Sequence, residues 1–148
     1  MFGKPTHHTR LFVTFVEEDL PLVRSIMTRL RADGAITVDY SLTTERFDAP
    51  ESVYVRASLA GRIKRSTATL CLLGGSTLEN PWVSWSLQAT RELDRLLLAV
   101  PLAGTPTDEG ARTIEELGGV FVGPRPDDIV RALTGDDAVR HRTHAVSR

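Results

Sequence analysis

The first run of chemically capable side chains is Glu17-Glu18-Asp19, directly after the apolar, β-branched stretch Leu11-Phe-Val-Thr-Phe-Val16. Three carboxylates at the carboxyl end of a strand can hold Mg²⁺. The alternative, which we prefer, is that Asp19 caps the following helix while the two glutamates favour its positive end. Asp39 closes a second alternating stretch, Ile36-Thr-Val-Asp-Tyr40. An acidic residue there is a common partner of ribose hydroxyls in nucleotide-binding α/β folds. No GxGxxG fingerprint follows the first strand, so Asp39 alone does not define a dinucleotide site. Cys71, between Leu70 and Leu72 in an apolar run, reads as a buried, inert thiol. His7 and His8 are adjacent, a spacing that suits neither a helical nor a strand metal pair, and read as solvated tail residues. No metal is expected.

The elements that must position these groups follow from periodicity. Thr67 to Leu73 reads as a buried strand stopped by Gly74-Gly75, where a tight turn calls for backbone free to take positive φ. Asn80 then stands where an N-cap is wanted, and Pro81 at the first helical position. In open α/β sheets ligands bind outside the carboxyl ends of the strands, so this loop and first helical turn form the default site. Upstream, Leu20 to Ala32 carries a helix-period stripe of Leu20, Val23, Ile26, Met27 and Leu30. Thr43 to Glu51 is a polar loop. Ser52 is expected to cap a helix reaching about Arg65, with Val55, Leu59 and Ile63 inward and a solvated basic face. Downstream come a helix to about Asp94, a strand Leu96–Leu102, a short helix from Ala111, a brief strand Val120–Val122 and a helix from Pro126 to Leu133. This β-α alternation predicts a three-layer α/β/α fold with a five-stranded parallel sheet, in the flavodoxin-like order 2-1-3-4-5. Residues 1–9 are expected to form a flexible lead, 10–134 the domain, and 135–148, with His141 and His144, a polar tail.

The 148 residues suit one domain with a real core. A net charge of −1 gives no reason to expect nucleic-acid binding, for which a basic excess is the footprint. One cysteine fits a reducing compartment. With neither an apolar signal core nor a membrane-length run, a cytoplasmic location is expected, without membrane partners.

Taken together, these stretches resemble the bacterial TIR-like domains of the Thoeris antiphage system, the ThsB type. Phe12-Val-Thr-Phe15 followed by Asp19 is similar to the opening of TIR domains. Val38-Asp-Tyr-Ser-Leu42 looks like their second-strand D-x-S-L element. Ser52-Val-Tyr-Val55 and Ile63-Lys-Arg-Ser66 resemble the helix that leads into the third strand. Leu72-Leu-Gly-Gly-Ser-Thr77 with Trp82-Val-Ser-Trp85 matches the strand, loop and paired tryptophans, the most specific part. The resemblance runs from about residue 10 to 102 and implies a TIR fold. It also implies a role in antiphage signalling, in which active members cleave NAD⁺ at the nicotinamide–ribose bond and cyclise the product into a messenger.

The resemblance further implies a site lined by Phe15, Asp39, Ser41, Gly74 and Trp82, with NAD⁺ as substrate or ligand. Other TIR domains are the implied protein partners, including further copies of this chain. A carboxylate beside the ribose stabilises the oxocarbenium-like transition state electrostatically. The family sets that Glu four residues after the first tryptophan, where this chain has Ser86. Ser86 can hydrogen-bond a ribose hydroxyl but carries no charge, and Glu79 on the preceding loop is the candidate substitute. Two readings follow: an NAD⁺-processing enzyme with a displaced site, or an inactive nucleotide-binding or assembly module. A response-regulator receiver shares the strand order. It would need an Asp at the end of the third strand, where Gly74 stands, and a Lys after the fifth, whereas the last lysine is Lys64.

Overall fold

The computed structural model describes residues 8–134 except position 44. Most of the expected lead, His7, and the expected tail lie outside the described residues. Five parallel strands, β1 (Thr9–Thr14), β2 (Ile36–Tyr40), β3 (Ala68–Leu73), β4 (Leu96–Pro101) and β5 (Val120–Phe121), form one sheet in the order 2-1-3-4-5. The helices are α1 (Leu20–Ala32), α2 (Ser52–Lys64), α3 (Pro81–Glu92), α4 (Asp108–Glu116) and α5 (Pro126–Thr134). The expected flavodoxin-like architecture is therefore the one observed.

Side chains alternate across the sheet and divide the core in two. Leu11, Val13 and Phe15 of the β1 segment, with Leu70, Leu72, Leu98 and Val100, meet Val23, Met27 and Leu30 of α1 and Ile129 and Ala132 of α5. On the opposite face Cys71, Leu73, Leu97 and Ala99 meet Val83 and Leu87 of α3 and Ile114 of α4. Beside them Phe12 packs with Leu59 and Ile63 of α2 and with Trp82 and Ala89 of α3. Every residue of β3 is buried, as expected of a central parallel strand covered on both faces. The register pairs Thr14 of β1 with Cys71 of β3, and Leu73 of β3 with Pro101 of β4. The carboxyl ends of these three strands thus open onto one edge of the sheet.

Local chemistry differs from expectation at several ends. β1 begins at Thr9, inside the expected lead, because its amide donates to the Ala35 carbonyl at 2.9 Å. Helix α4 starts three residues before Ala111, since the Thr107 hydroxyl accepts from the Gly110 amide at 3.0 Å. Ser52 does not cap α2: it is the first helical residue, buried, and its hydroxyl accepts instead from Arg56 at 3.0 Å. The basic face of α2 is also less solvated than expected. Arg56 lies over the Phe47 ring and Arg62 over the Phe12 ring. Asn80 and Pro81 act as expected, with Asn80 Oδ1 accepting from the Trp82 and Val83 amides.

Candidate functional site

A cleft of about 100 Å³ opens at the carboxyl end of β1, against the start of α3. Phe12, Thr14, Phe15, Val16 and Glu17 supply one wall, Ser41 to Thr43 the loop after β2, and Asn80, Trp82, Val83 and Ser86 the other wall. Here the chain leaves β1 for α1 on one face of the sheet and leaves β3 for α3 on the other. Such a divergence leaves a crevice in open α/β sheets.

Trp82 fixes the shape of the cleft. Its indole N–H donates to the Glu45 carbonyl at 2.8 Å, and its ring stands edge-on to Phe47 at 4.9 Å between centroids. The loop after β2 is thereby pinned to α3. Ser86, one helical turn on, is buried, and its hydroxyl donates to the Trp82 carbonyl at 2.8 Å. Its proton is thus committed to the helix, which leaves its lone pairs to accept a hydrogen bond. Thr90 donates to the Ser86 carbonyl at 2.7 Å, so Thr69 is the donor in the buried Thr69–Thr90 pair. This hydroxyl ladder ties α3 to the middle of the sheet.

The three adjacent carboxylates after β1 go three ways. Glu18 accepts from the Ser76 hydroxyl at 2.7 Å. Asp19 stands at the head of α1 but makes no capping bond. Its carboxylate instead lies under Gly74, where a Cβ would fall 2.2 Å from Oδ2. That oxygen is buried without a hydrogen-bond partner among the described residues. Burial, with Glu18 adding, pushes the Asp19 carboxyl up from its ordinary value, while the Thr77 hydroxyl pulls it down. The close approach of Asp19, and not the positive φ expected from the sequence, is what demands glycine at position 74: among the described residues the positive-φ glycines are Gly104 and Gly118. Glu17 alone lines the cleft. Among the described residues no group of three His, Cys, Asp or Glu side chains is arranged to hold a metal ion.

The residues implied by the resemblance separate into three places. Phe15, Ser41, Trp82 and Ser86 share the cleft. Asp39 is not among its lining residues. Its carboxylate is held bidentately by the Arg62 guanidinium, which also donates to the Tyr40 carbonyl at 2.6 Å. The Arg62 hydrogen bond holds the Asp39 carboxyl below the usual range, against the opposing effect of burial. Gly74 and Glu79 line a different, larger cavity of about 320 Å³ beyond the ends of β3 and β4. Leu73, Gly75 and Leu78 adjoin them there, facing Thr105, Thr107 and Glu109. Sequence reasoning put Asn80 in the default site, weighed Glu17 only within the three-carboxylate cluster, and did not single out Thr14. The rule that ligands meet strand ends would have pointed to the last two. Cys71 is fully buried, and burial pushes its thiol up to about 12.

Among the described residues that line the cleft, Glu17 is the one carboxylate and none is Lys, Arg or His. Thr14, Ser41, Thr43 and Ser86 bring hydroxyls and Asn80 an amide to a lining that is otherwise largely aromatic and aliphatic. Such a surface suits a sugar ring and an uncharged or cationic base, and gives a phosphate no partner of opposite charge.

Fold and cleft together define a flavodoxin-like α/β domain with a small polar crevice at its strand ends. The family profile described as "Thoeris protein ThsB, TIR-like domain" matches residues 12–107, well over half of the chain. The chain belongs to this family. Among solved structures it is similar to the CMP N-glycosidase BcmB of Clostridium botulinum, with a TM-score of 0.54 and 11% identity. That alignment covers 84% of this chain and 97% of the other. At that identity the likeness speaks to the fold alone. No curated protein sequence matches the chain. Among the described residues no helix is long and apolar enough to cross a membrane.

Proposed function

We propose that this chain is an antiphage-defence TIR-like protein whose cleft binds the nicotinamide-ribose end of NAD⁺, or of a related nucleotide, and cleaves its N-glycosidic bond. The observation that carries this reading is the convergence of Phe15, Ser41, Trp82 and Ser86 on one sugar-sized crevice with hydroxyls in its lining. A volume of 100 Å³ is roughly that of three liquid waters, enough for a five-membered ring and too small for a whole dinucleotide. The ribose ring alone fills it, and the nicotinamide, pyrophosphate and adenosine extend outside it. Family membership supports the assignment to Thoeris-type defence, in the cytoplasm and alongside other TIR domains.

Ser86 makes the proposed enzyme slow. A hydrogen bond to a charged partner contributes ~1.5–3 kcal/mol against ~0.5–1.5 for a neutral one. Replacing the family carboxylate by a hydroxyl therefore costs roughly ten- to a hundredfold in rate. Position 86 also favours a second reading, an inactive module that binds nucleotide or assembles with other TIR domains. Incubation of the purified chain with NAD⁺, followed by chromatography for free nicotinamide, separates the two. Slow release by the wild type, raised by Ser86→Glu, is the expected result. No release by the wild type, with release by Ser86→Glu, establishes the inactive module.

A further inference from the structure

We propose that Glu17, at the carboxyl end of β1, supplies the negative charge that position 86 on α3 lacks. This inference rests on the nucleotide-cleaving reading above. Of the three consecutive carboxylates, Glu18 is bound by Ser76 and Asp19 is tucked beneath Gly74. The Glu17 carbonyl accepts from the Leu20 amide, but its side chain makes no hydrogen bond or ion pair with any described residue and lines the same cleft as Ser86. Glu17 comes from the end of β1 and Ser86 from α3, so a sugar in the cleft would have a carboxylate and a hydroxyl from different elements among its neighbours. The short 3-10 turn Glu17–Asp19 is closed by the Asp19 amide on the Val16 carbonyl at 3.0 Å. That bond fixes the backbone from which the Glu17 side chain departs.

The chemistry requires only one carboxylate. When the bond between C1′ and the nicotinamide nitrogen breaks, its electron pair stays on nitrogen and discharges the pyridinium. The leaving group is neutral, so no general acid is needed. Positive charge passes to C1′ and the ring oxygen of ribose, where a neighbouring carboxylate lowers its energy. Water adds at C1′ and gives up a proton to solvent, which yields ADP-ribose, nicotinamide and H⁺. No cationic side chain among the described lining residues competes for Glu17. The positive charge that develops on the ribose as the bond breaks is its natural partner.

The test measures nicotinamide release and NAD⁺ affinity for the wild type, Glu17→Gln, Glu17→Asp, Glu18→Gln, Ser86→Glu and the double variant Glu17→Gln with Ser86→Glu. We expect Glu17→Gln to lose kcat by roughly a hundredfold, the scale for removing one group that stabilises transition-state charge, while affinity changes little. Glu17→Asp should retain part of the rate and Glu18→Gln nearly all of it. The double variant should recover turnover, because the charge returns from α3. Measured against Ser86→Glu alone, Glu17→Gln should then cost little, whereas a merely structural role for Glu17 would cost as much there as in the wild type. If the wild type turns over and Glu17→Gln keeps pace with it, the assignment of Glu17 is wrong and the nucleotide-cleaving reading stands. If the wild type releases no nicotinamide, both fall together.

Discussion

The cleft between β1 and α3 has about a third of the volume of the cavity beyond β3 and β4, 100 against 320 Å³, yet the smaller space has the features of a site. The loops around the larger cavity run from β3 and β4 to α3 and α4, which pack on the same face of the sheet. The smaller one sits where the chain departs to opposite faces, α1 on one and α3 on the other. Divergent connections expose strand ends, whereas parallel ones leave a furrow between loops. The chemistry differs in the same sense. Neither has a cationic residue among its described lining, but the larger cavity carries two carboxylates, Glu79 and Glu109, against Glu17 alone in the smaller. Volume is a poor guide here, and connectivity a better one.

Three substitutions sharpen that contrast. Trp82→Ala should have the largest effect, since the side chain is 92% buried, with 8% exposure, and holds both Glu45 and Phe47. Removing a buried Trp costs about 3 kcal/mol or more, read as a lowered denaturation midpoint. NAD⁺ affinity should fall with it, because the loop from Ser41 to Phe47 loses its anchor.

Asp39→Asn should cost less, about 1 kcal/mol, the upper range for a partly exposed ion pair. Its pH dependence is diagnostic. Arg62 lowers the folded Asp39 value below the ordinary 3.8. The contribution is therefore fully present above 3.8 and disappears as pH falls through the lower folded value. Wild type and Asp39→Asn melting curves should converge in strong acid and separate above it. Catalysis should suffer only indirectly, through the packing of Arg62 on Phe12.

Glu79→Ala is expected to do least, with nicotinamide release changed less than about twofold, as for an exposed residue remote from the reacting bond. A large loss would return the larger cavity to consideration.

Most of the fold is written in local pattern. The stripe from Leu20 to Leu30, the buried run from Ala68 to Leu73 and the Asn80-Pro81 start are each decided by neighbours within a few residues. The site is only half legible. Trp82 and Ser86 are recognisable because one helical turn fixes their relation, and Phe15 because it follows a strand. Glu17 is not recognisable, since three adjacent carboxylates look alike until the 3-10 turn sends each in its own direction. Asp39 and Arg62 lie 23 residues apart, so their pairing depends on α2 folding back along β2. Glu79 and Asn80 are adjacent yet line different cavities. One turn ends and a helix begins between them, a change of direction that spacing does not reveal.

The most direct test of the smaller cleft as the working site is a titration of isotopically labelled protein with NAD⁺, read through backbone amide shifts. We predict that the perturbed amides are those of Phe15 to Glu17, Ser41 to Thr43 and Trp82 to Ser86. Perturbations centred instead on Gly75, Glu79 and the Thr105–Gly110 loop would contradict the account and place the ligand beyond β3 and β4.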